Sequence, residues 1–237
     1  MARGSFRFKQ FEICQPRSAM KLSTDAVILG AWCCFDGHTR VLDVGTGTGI
    51  LSLMCAQRSE ASIIAIEPDK DSYQDALENF ECSPWGERIE GLNLSLEDFC
   101  ATTPARFSHI ISNPPYFSSS LKCADKARSS ARHNDSLPFE QLVELSSRLL
   151  EDAGRLSVII PASEQNRFME CALKYFSLER FCNVFSKPST SPKRVLLSFG
   201  RGDKSQLKSE NLVIETETSG EYSDEFIELT RDFYLKF

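Results

Sequence analysis

Asn113-Pro114-Pro115-Tyr116 is the stretch of this chain whose residue types and spacing can do chemistry. A side-chain amide oxygen and a backbone carbonyl can together accept the two N–H bonds of a planar amino group. Such a nitrogen is a poor nucleophile because its lone pair is delocalised. Two acceptors favour its pyramidal form and aim the lone pair at an electrophilic carbon. Pro114 and Pro115 lack N–H groups and fix φ, so they stiffen the turn and present a carbonyl without local competition. A flat aromatic such as Tyr116 can stack on a base held out of its nucleic-acid stack. The chemistry would be in-line transfer of a carbon group to that nitrogen, with geometry and electrostatics doing most of the catalysis and no strong base required. The tetrapeptide alone does not separate adenine N6, cytosine N4 and the amide nitrogen of glutamine.

A second candidate lies upstream. Val41-Leu42-Asp43-Val44-Gly45-Thr46-Gly47-Thr48-Gly49 reads as a strand, a tight glycine turn and a helix start. Glycine is needed where the backbone takes positive φ or approaches a ligand closely, and the helix amides that follow can face a ligand's polar groups. A dinucleotide fingerprint is the rival reading, but the spacing is G-x-G-x-G and Asp43 already ends the strand. Glu67, directly after an apolar strand, fits a carboxylate accepting ribose hydroxyls, as in either nucleoside-binding class. In Glu97-Asp98-Phe99 a carboxylate could accept from an adenine amino group and an aromatic could pack on the ring; a plain polar loop is the alternative.

These residues need elements to hold them. From residue 40 apolar strands (41–44, 62–66, 89–94, 107–112, 154–160) alternate with helical patterns (50–57, 69–80, 139–150, 163–175), followed by strands 179–185 and 194–199. Such alternation implies an α/β fold with a mostly parallel sheet covered by helices on both faces, and ligands in such sheets bind at the carboxyl ends of the strands. Before it, residues 6–13 alternate as a short strand or hairpin. Residues 22–35 form a helix with Ser23 or Thr24 as N-cap and Val27, Ile28, Ala31 and Trp32 on one face. A polar, basic loop covers 118–136, and the acidic tail adds a strand at 212–217 and a helix at 224–234.

The whole chain has 237 residues with 41% hydrophobic and 25% charged, which suits one α/β domain with small additions at its ends. The net charge of −6 argues against a generic nucleic-acid coat, though a total hides local patches. Nine cysteines, at 14, 33, 34, 55, 82, 100, 123, 171 and 182, never fall as C-x-x-C or cluster with the three histidines, so no metal site is expected. Most sit in apolar runs, and their odd number points to a reducing compartment. With no signal-like apolar stretch and no run of roughly 20 apolar residues, the chain reads as a cytosolic protein without a membrane partner.

Over about residues 39–160 the arrangement resembles the class I S-adenosylmethionine methyltransferases. The resemblance implies a Rossmann-like sheet with an antiparallel final strand and S-adenosylmethionine as cofactor. It further implies that Asp43, Gly45, Thr46, Gly47 and Gly49 hold the methionine part, Glu67 the ribose and Asp98 the adenine, while Asn113 to Tyr116 hold the target. The flanks narrow the family. Phe8-Lys9-Gln10-Phe11, residues 20–32 (MKLSTDAVILGAW), Ala131-Arg132 with Ser136-Leu137, and Arg194-Val195-Leu196-Leu197 resemble the bacterial tRNA (adenine-N6)-methyltransferases that modify the adenosine next to the anticodon of a valine tRNA. There is no room for the target-recognition domain of DNA amino-methyltransferases, nor for the helical N-terminal domain of release-factor methyltransferases. The alternative substrates are protein glutamine and ribosomal RNA.

By that resemblance residues 1–37 form an extension over the cofactor site, 38–200 the methyltransferase domain, and 201–237 a strand and helix packed on it; the protein is expected to act as a monomer. Lys21, Thr24 and Asp25 would close over the cofactor or the target base, a solvated N-cap being the alternative for the last two. Arg132, Lys193 and Arg194 would touch the tRNA. Arg7, Lys9, Arg17, Lys21, Lys122, Lys126, Arg128 and Lys187 are further cations that could track phosphates. An ordinary solvated charge is the other reading for each of them, and for His133.

Overall fold

The computed structural model describes residues 4–115, 137–202 and 207–237. An N-terminal hairpin, β1 (Ser5–Arg7) with β2 (Glu12–Cys14), pairs antiparallel. The main sheet follows with β3 (Arg40–Val44), β4 (Ser62–Ile66), β5 (Ile89–Leu92), β6 (Phe107–Ser112), β7 (Leu150–Pro161), β8 (Ser177–Phe185), β9 (Pro192–Gly200) and β10 (Lys208–Val213). Its order is β10-β8-β9-β7-β6-β3-β4-β5. Every neighbouring pair is parallel except those of β9, which runs antiparallel between β7 and β8. Strands covered on both faces are buried throughout, and β6 is buried at every position, Ser108, His109 and Ser112 included.

Helices cover both faces, as the alternation predicts. Helix α1 (Thr24–Trp32) and α2 (Ile50–Arg58) share one apolar cluster with Phe80 of α3 (Lys70–Glu81) and Phe226 of the C-terminal helix Asp224–Thr230. Helices Leu96–Thr102, Phe139–Leu149 and Gln165–Ala172 build the second cluster on the opposite face. Ser23 is the N-cap of α1, its hydroxyl accepting from the Ala26 N–H. That helix is buried from Ala26 to Trp32 rather than along one stripe. Gly30 lets α2 approach, because a Cβ there would stand 2.7 Å from Met54 Sδ.

Several element boundaries differ from the sequence reading, the C-terminal helix ending at Thr230 rather than 234. Residues 96–102 are helical, not loop: Ser95 caps the turn by accepting from the Asp98 N–H, but with seven residues there is too little length for periodicity to show. The tail strand is Lys208–Val213, four residues earlier than 212–217. Strand β7 starts directly at the end of the preceding helix, and its pairing with β6 shifts register between Phe107 and His109, which absorbs the residues around Gly154.

The two ends of the chain meet. Lys9 donates its N–H to Phe233 O and its ammonium to the Arg231 and Phe237 carbonyls. Phe8 stacks on Phe11 and Tyr234. No helix among the described residues is long and apolar enough to cross a membrane.

Candidate active site

The chain order of the strands creates the site. From β3 the chain moves outward to β4 and β5, then returns to the other side of β3 as β6, so the crossing point lies between β3 and β6. Register places Val44 beside Ser112 on one side and beside Ile66 on the other. The next residue along each strand is therefore Gly45, Asn113 and Glu67. Three separate sequence segments thus emerge side by side, on strands about 4.8 Å apart. Ser112 Oγ donates to Val44 O at 2.8 Å and locks the β3–β6 junction.

The glycine turn is built for close approach. Gly45, Gly47 and Gly49 take φ of 70°, 59° and 86°. No atom lies within 4 Å of where a Cβ on Gly45 or Gly47 would stand, so that side of the turn is open. Gly49 is different: its Cβ would meet the Phe80 ring at 2.4 Å, so this glycine serves packing. Four of the turn amides are engaged within the protein. Gly45 and Thr46 donate to Ile66 O, Gly47 to Glu67 Oε2, and Gly49 to Thr46 O. A pyrophosphate-binding turn needs those donors directed at the anion, so this geometry disfavours the dinucleotide reading.

Carboxylates do the holding instead. Asp43 is fully buried, and its Oδ2 accepts from the Thr46 and Ser52 hydroxyls at 2.6 and 2.8 Å. Burial pushes its carboxyl up to about 6 against the pull of those two bonds, and its Oδ1 has no protein partner among the described residues. Glu67 accepts from the Gly47 and Asp69 amides at 2.8 and 2.9 Å. Burial raises its pKa, with the two amides opposing. Each Glu67 oxygen has two lone-pair directions, so one per oxygen is open to a hydroxyl. An open glycine backbone, an acceptor pair at the neighbouring strand end and a buried aspartate fit a nucleoside-bearing cofactor.

Asn113 is half-buried, Pro114 buried and Pro115 half-buried at the end of β6; Tyr116 and Arg132 lie outside the described residues, as do Lys122, Lys126, Arg128 and His133. Asp98 is exposed at the start of its helix and accepts from Ser95 Oγ at 2.7 Å. Phe99, offered above as a ring-packing partner, is buried against Phe107 in the core and is not available. The amphipathic spacing of its short helix turns it inward.

Several cations suggested for phosphate contacts are engaged internally. Arg17 binds Asp75 and Glu78 of α3, and Lys187 donates to Glu217 O and Ser219 Oγ. Arg194 forms a 2.6 Å ion pair with Asp25. Lys21 donates to Gln15 O at 2.6 Å, while Thr24 and Lys193 are exposed. Two supporting residues escaped the sequence reading. Asn79 of α3 exchanges hydrogen bonds with the Cys14 backbone and donates to Thr48 O in the glycine turn. Buried Asp75 accepts from Ser18 N, Ser18 Oγ and Arg17. Polar residues at i and i+4 within the buried stripe of α3 were the available signal. Among the described residues no group of three or more His, Cys, Asp or Glu is placed to hold a metal.

Comparison with known proteins gives a consistent result. Residues 33–178 match the family model of the methyltransferase small domain. The chain is 44% identical over 241 residues, covering 100% of both chains, to a Bacteroides fragilis protein named tRNA1(Val) (adenine(37)-N6)-methyltransferase. A Flavobacterium johnsoniae protein of the same name is 42% identical, covering 98% of this chain and 99% of its own. Among solved structures, a predicted O-methyltransferase from Agrobacterium tumefaciens superposes with a TM-score of 0.71 at 21% identity, covering 88% of this chain and 96% of its own, a likeness of fold.

Proposed function

The chain belongs to the tRNA1(Val) (adenine(37)-N6)-methyltransferase family, and on that premise we propose that it transfers a methyl group from S-adenosylmethionine to N6 of adenosine 37 in a valine tRNA. The observation that carries this reading is the register that sets Gly45, Asn113 and Glu67 beside one another at the carboxyl ends of β3, β6 and β4. The names of the relatives support tRNA as substrate and the cytoplasm as the place of work.

Bound S-adenosylmethionine supplies an electrophilic sulfonium methyl. Gly45 and Gly47 admit its methionine part against bare backbone, with Asp43 and Thr46 bracing the turn beneath it. Glu67 accepts the ribose hydroxyls through its open lone pairs. Asp98 accepts from the adenine amino group. Asn113 Oδ1 and the Pro114 carbonyl accept the two N–H bonds of the target nitrogen, and the lone pair is thereby turned toward the methyl. Pro115 stiffens the turn, and Tyr116 stacks on the extruded base. The methylated nitrogen is acidic enough to release its proton to water, so no base is assigned. Lys193 and Arg132 contact tRNA phosphates.

Incubation with labelled S-adenosylmethionine and unmodified tRNA, followed by digestion to nucleosides, tests the reading. N6-methyladenosine is expected from valine tRNA and is lost when adenosine 37 is replaced by guanosine. Label found only on protein, or nowhere, overturns it.

A further inference from the structure

We propose that Arg194 is a positioning residue: through Asp25 it fixes residues 15–25 as a strap across the carboxyl edge of the sheet and so sets the affinity for the cofactor beneath. The inference rests on the methyltransferase reading and deepens it.

The strap is tied at two ends. At its start, Cys14 is held by Asn79, and Arg17 and Ser18 are held by Asp75, all on α3. Asn79 also donates to Thr48 O at 2.9 Å, so this anchor is coupled directly to the glycine turn. Burial alone would raise the Asp75 carboxyl, but the Ser18 and Arg17 bonds outweigh it and hold it below the usual carboxylate range. In the middle the segment closes on itself. The Gln15 carbonyl accepts from Lys21 Nζ, and the Gln15 side chain accepts from the Leu22 N–H at 2.7 Å.

At its far end Asp25 meets Arg194 Nε at 2.6 Å. Arg194 stands in register with Pro161, at the carboxyl end of β7. Strands β3 and β6, which carry the glycine turn and Asn113, lie between β4 and β7 in the sheet. The two anchors therefore bracket the candidate site. Asp25 occupies the first turn of α1, where a carboxylate is already favoured, and Arg194 converts that local preference into a tie 169 residues away in sequence. The guanidinium has little freedom to follow a phosphate while this pair is formed, because the pair is only partly exposed (32% and 20%).

The test compares Asp25→Asn, Arg194→Gln, the double variant, and the swap Asp25→Arg with Arg194→Asp in the full chain. Cofactor affinity is measured by equilibrium dialysis, tRNA affinity as a function of salt, and thermal stability alongside. Each single variant is expected to weaken S-adenosylmethionine binding roughly fivefold to tenfold, the double no more than either single, and the swap to recover most of the loss. The salt dependence of tRNA binding should be unchanged. If Arg194→Gln instead lowers the salt slope by about one while Asp25→Asn does nothing, Arg194 is a phosphate contact and the proposal falls. Lower melting temperatures with unchanged cofactor affinity would reduce the pair to a structural contact and also overturn it. Wild-type protein that binds no S-adenosylmethionine overturns the methyltransferase reading and the strap's role with it.

Discussion

The two edges of the main sheet use polar groups in opposite ways. At the amino edge, strong donors are matched within the protein. Arg58 donates to the Gly30, Ala31 and Cys33 carbonyls at the end of α1. Arg88 donates to the Ala56, Ser59 and Ala61 carbonyls at the end of α2. Arg155 pairs with Glu179, and Arg180 with Glu210. At the carboxyl edge the pattern is acceptor-rich and incomplete: bare glycine backbone, Glu67 with open lone pairs, and Asp43 Oδ1 without a protein partner. One edge closes helix ends, where orphan carbonyls need donors. The other keeps capacity for a guest. Stability and function are therefore separable along the strand direction in this fold.

The largest effect that can break this comparison is at Asn113. Asn113→Ala removes the amide oxygen from the target nitrogen and should cut methyl transfer by about 10²–10³-fold, the scale for loss of one preorganised transition-state contact. Cofactor affinity should stay within a factor of about two, since the contact is to the target. Single-turnover kinetics with equilibrium dialysis measures both. Lost cofactor binding in this variant would place Asn113 on the wrong ligand.

The site was legible where one residue type is forced by backbone or by chemistry. Gly45 and Gly47 show in sequence because their positive φ strongly favours glycine. Asn113-Pro114-Pro115 shows because three constrained residues end a fully buried strand. Strands β3, β4 and β6 were legible because they are largely buried runs, whereas β5, buried only at Ile89, gave a weaker signal. Charges were not legible. Lys9, Arg17, Lys187 and Arg194 read as solvated surface charges or as phosphate contacts, and the partners that engage them include groups 30 to 228 residues away. Only the fold decides which carbonyl or carboxylate arrives. Asn79 and Asp75 were missed for a related reason: their i, i+4 spacing marks a polar pair in a buried stripe, but not the loop it will tie down.

A smaller effect sharpens the contrast from the amino edge. Arg88→Met keeps the apolar stem and removes the donors from three carbonyls. Stability should fall by about 2 kcal/mol, the scale for charged hydrogen bonds to partly buried backbone. Cofactor affinity should be unchanged, because nothing at the carboxyl edge depends on this cap. Urea unfolding beside dialysis checks the pair of outcomes. A matched loss of cofactor binding would show that the two edges are coupled through α2, which runs from its N-cap Gly49 through Ile50–Arg58.

The smallest effect is in the pH dependence, where the two edges should carry opposite signs. His109 is buried, bonded through Nε2 to Ser157 Oγ at 2.9 Å, with its ring 4.7 Å from that of His38. Burial, helped by the charges of His38 and Arg155, holds its pKa well below the ordinary 6.5; burial lowers that of His38 as well. Below pH 6.5 the unfolded chain therefore takes up protons that the folded chain refuses, and stability falls on acidification, by up to about 1.4 kcal/mol per pH unit for each histidine. Asp43 acts the other way. Raised by burial from 3.8 to about 6, it holds a proton in the folded state across that interval when the unfolded chain has released it. Its contribution to stability thus rises as pH falls through that window. Urea unfolding of the wild type, His109→Gln and Asp43→Asn from pH 7 to pH 5 separates the two. His109→Gln should lose less stability on acidification than the wild type, and Asp43→Asn should lose more, since the relief at the carboxyl edge is gone. Equal slopes in all three would mean that neither buried group takes up or releases a proton on folding, and the electrostatic contrast between the edges would not hold.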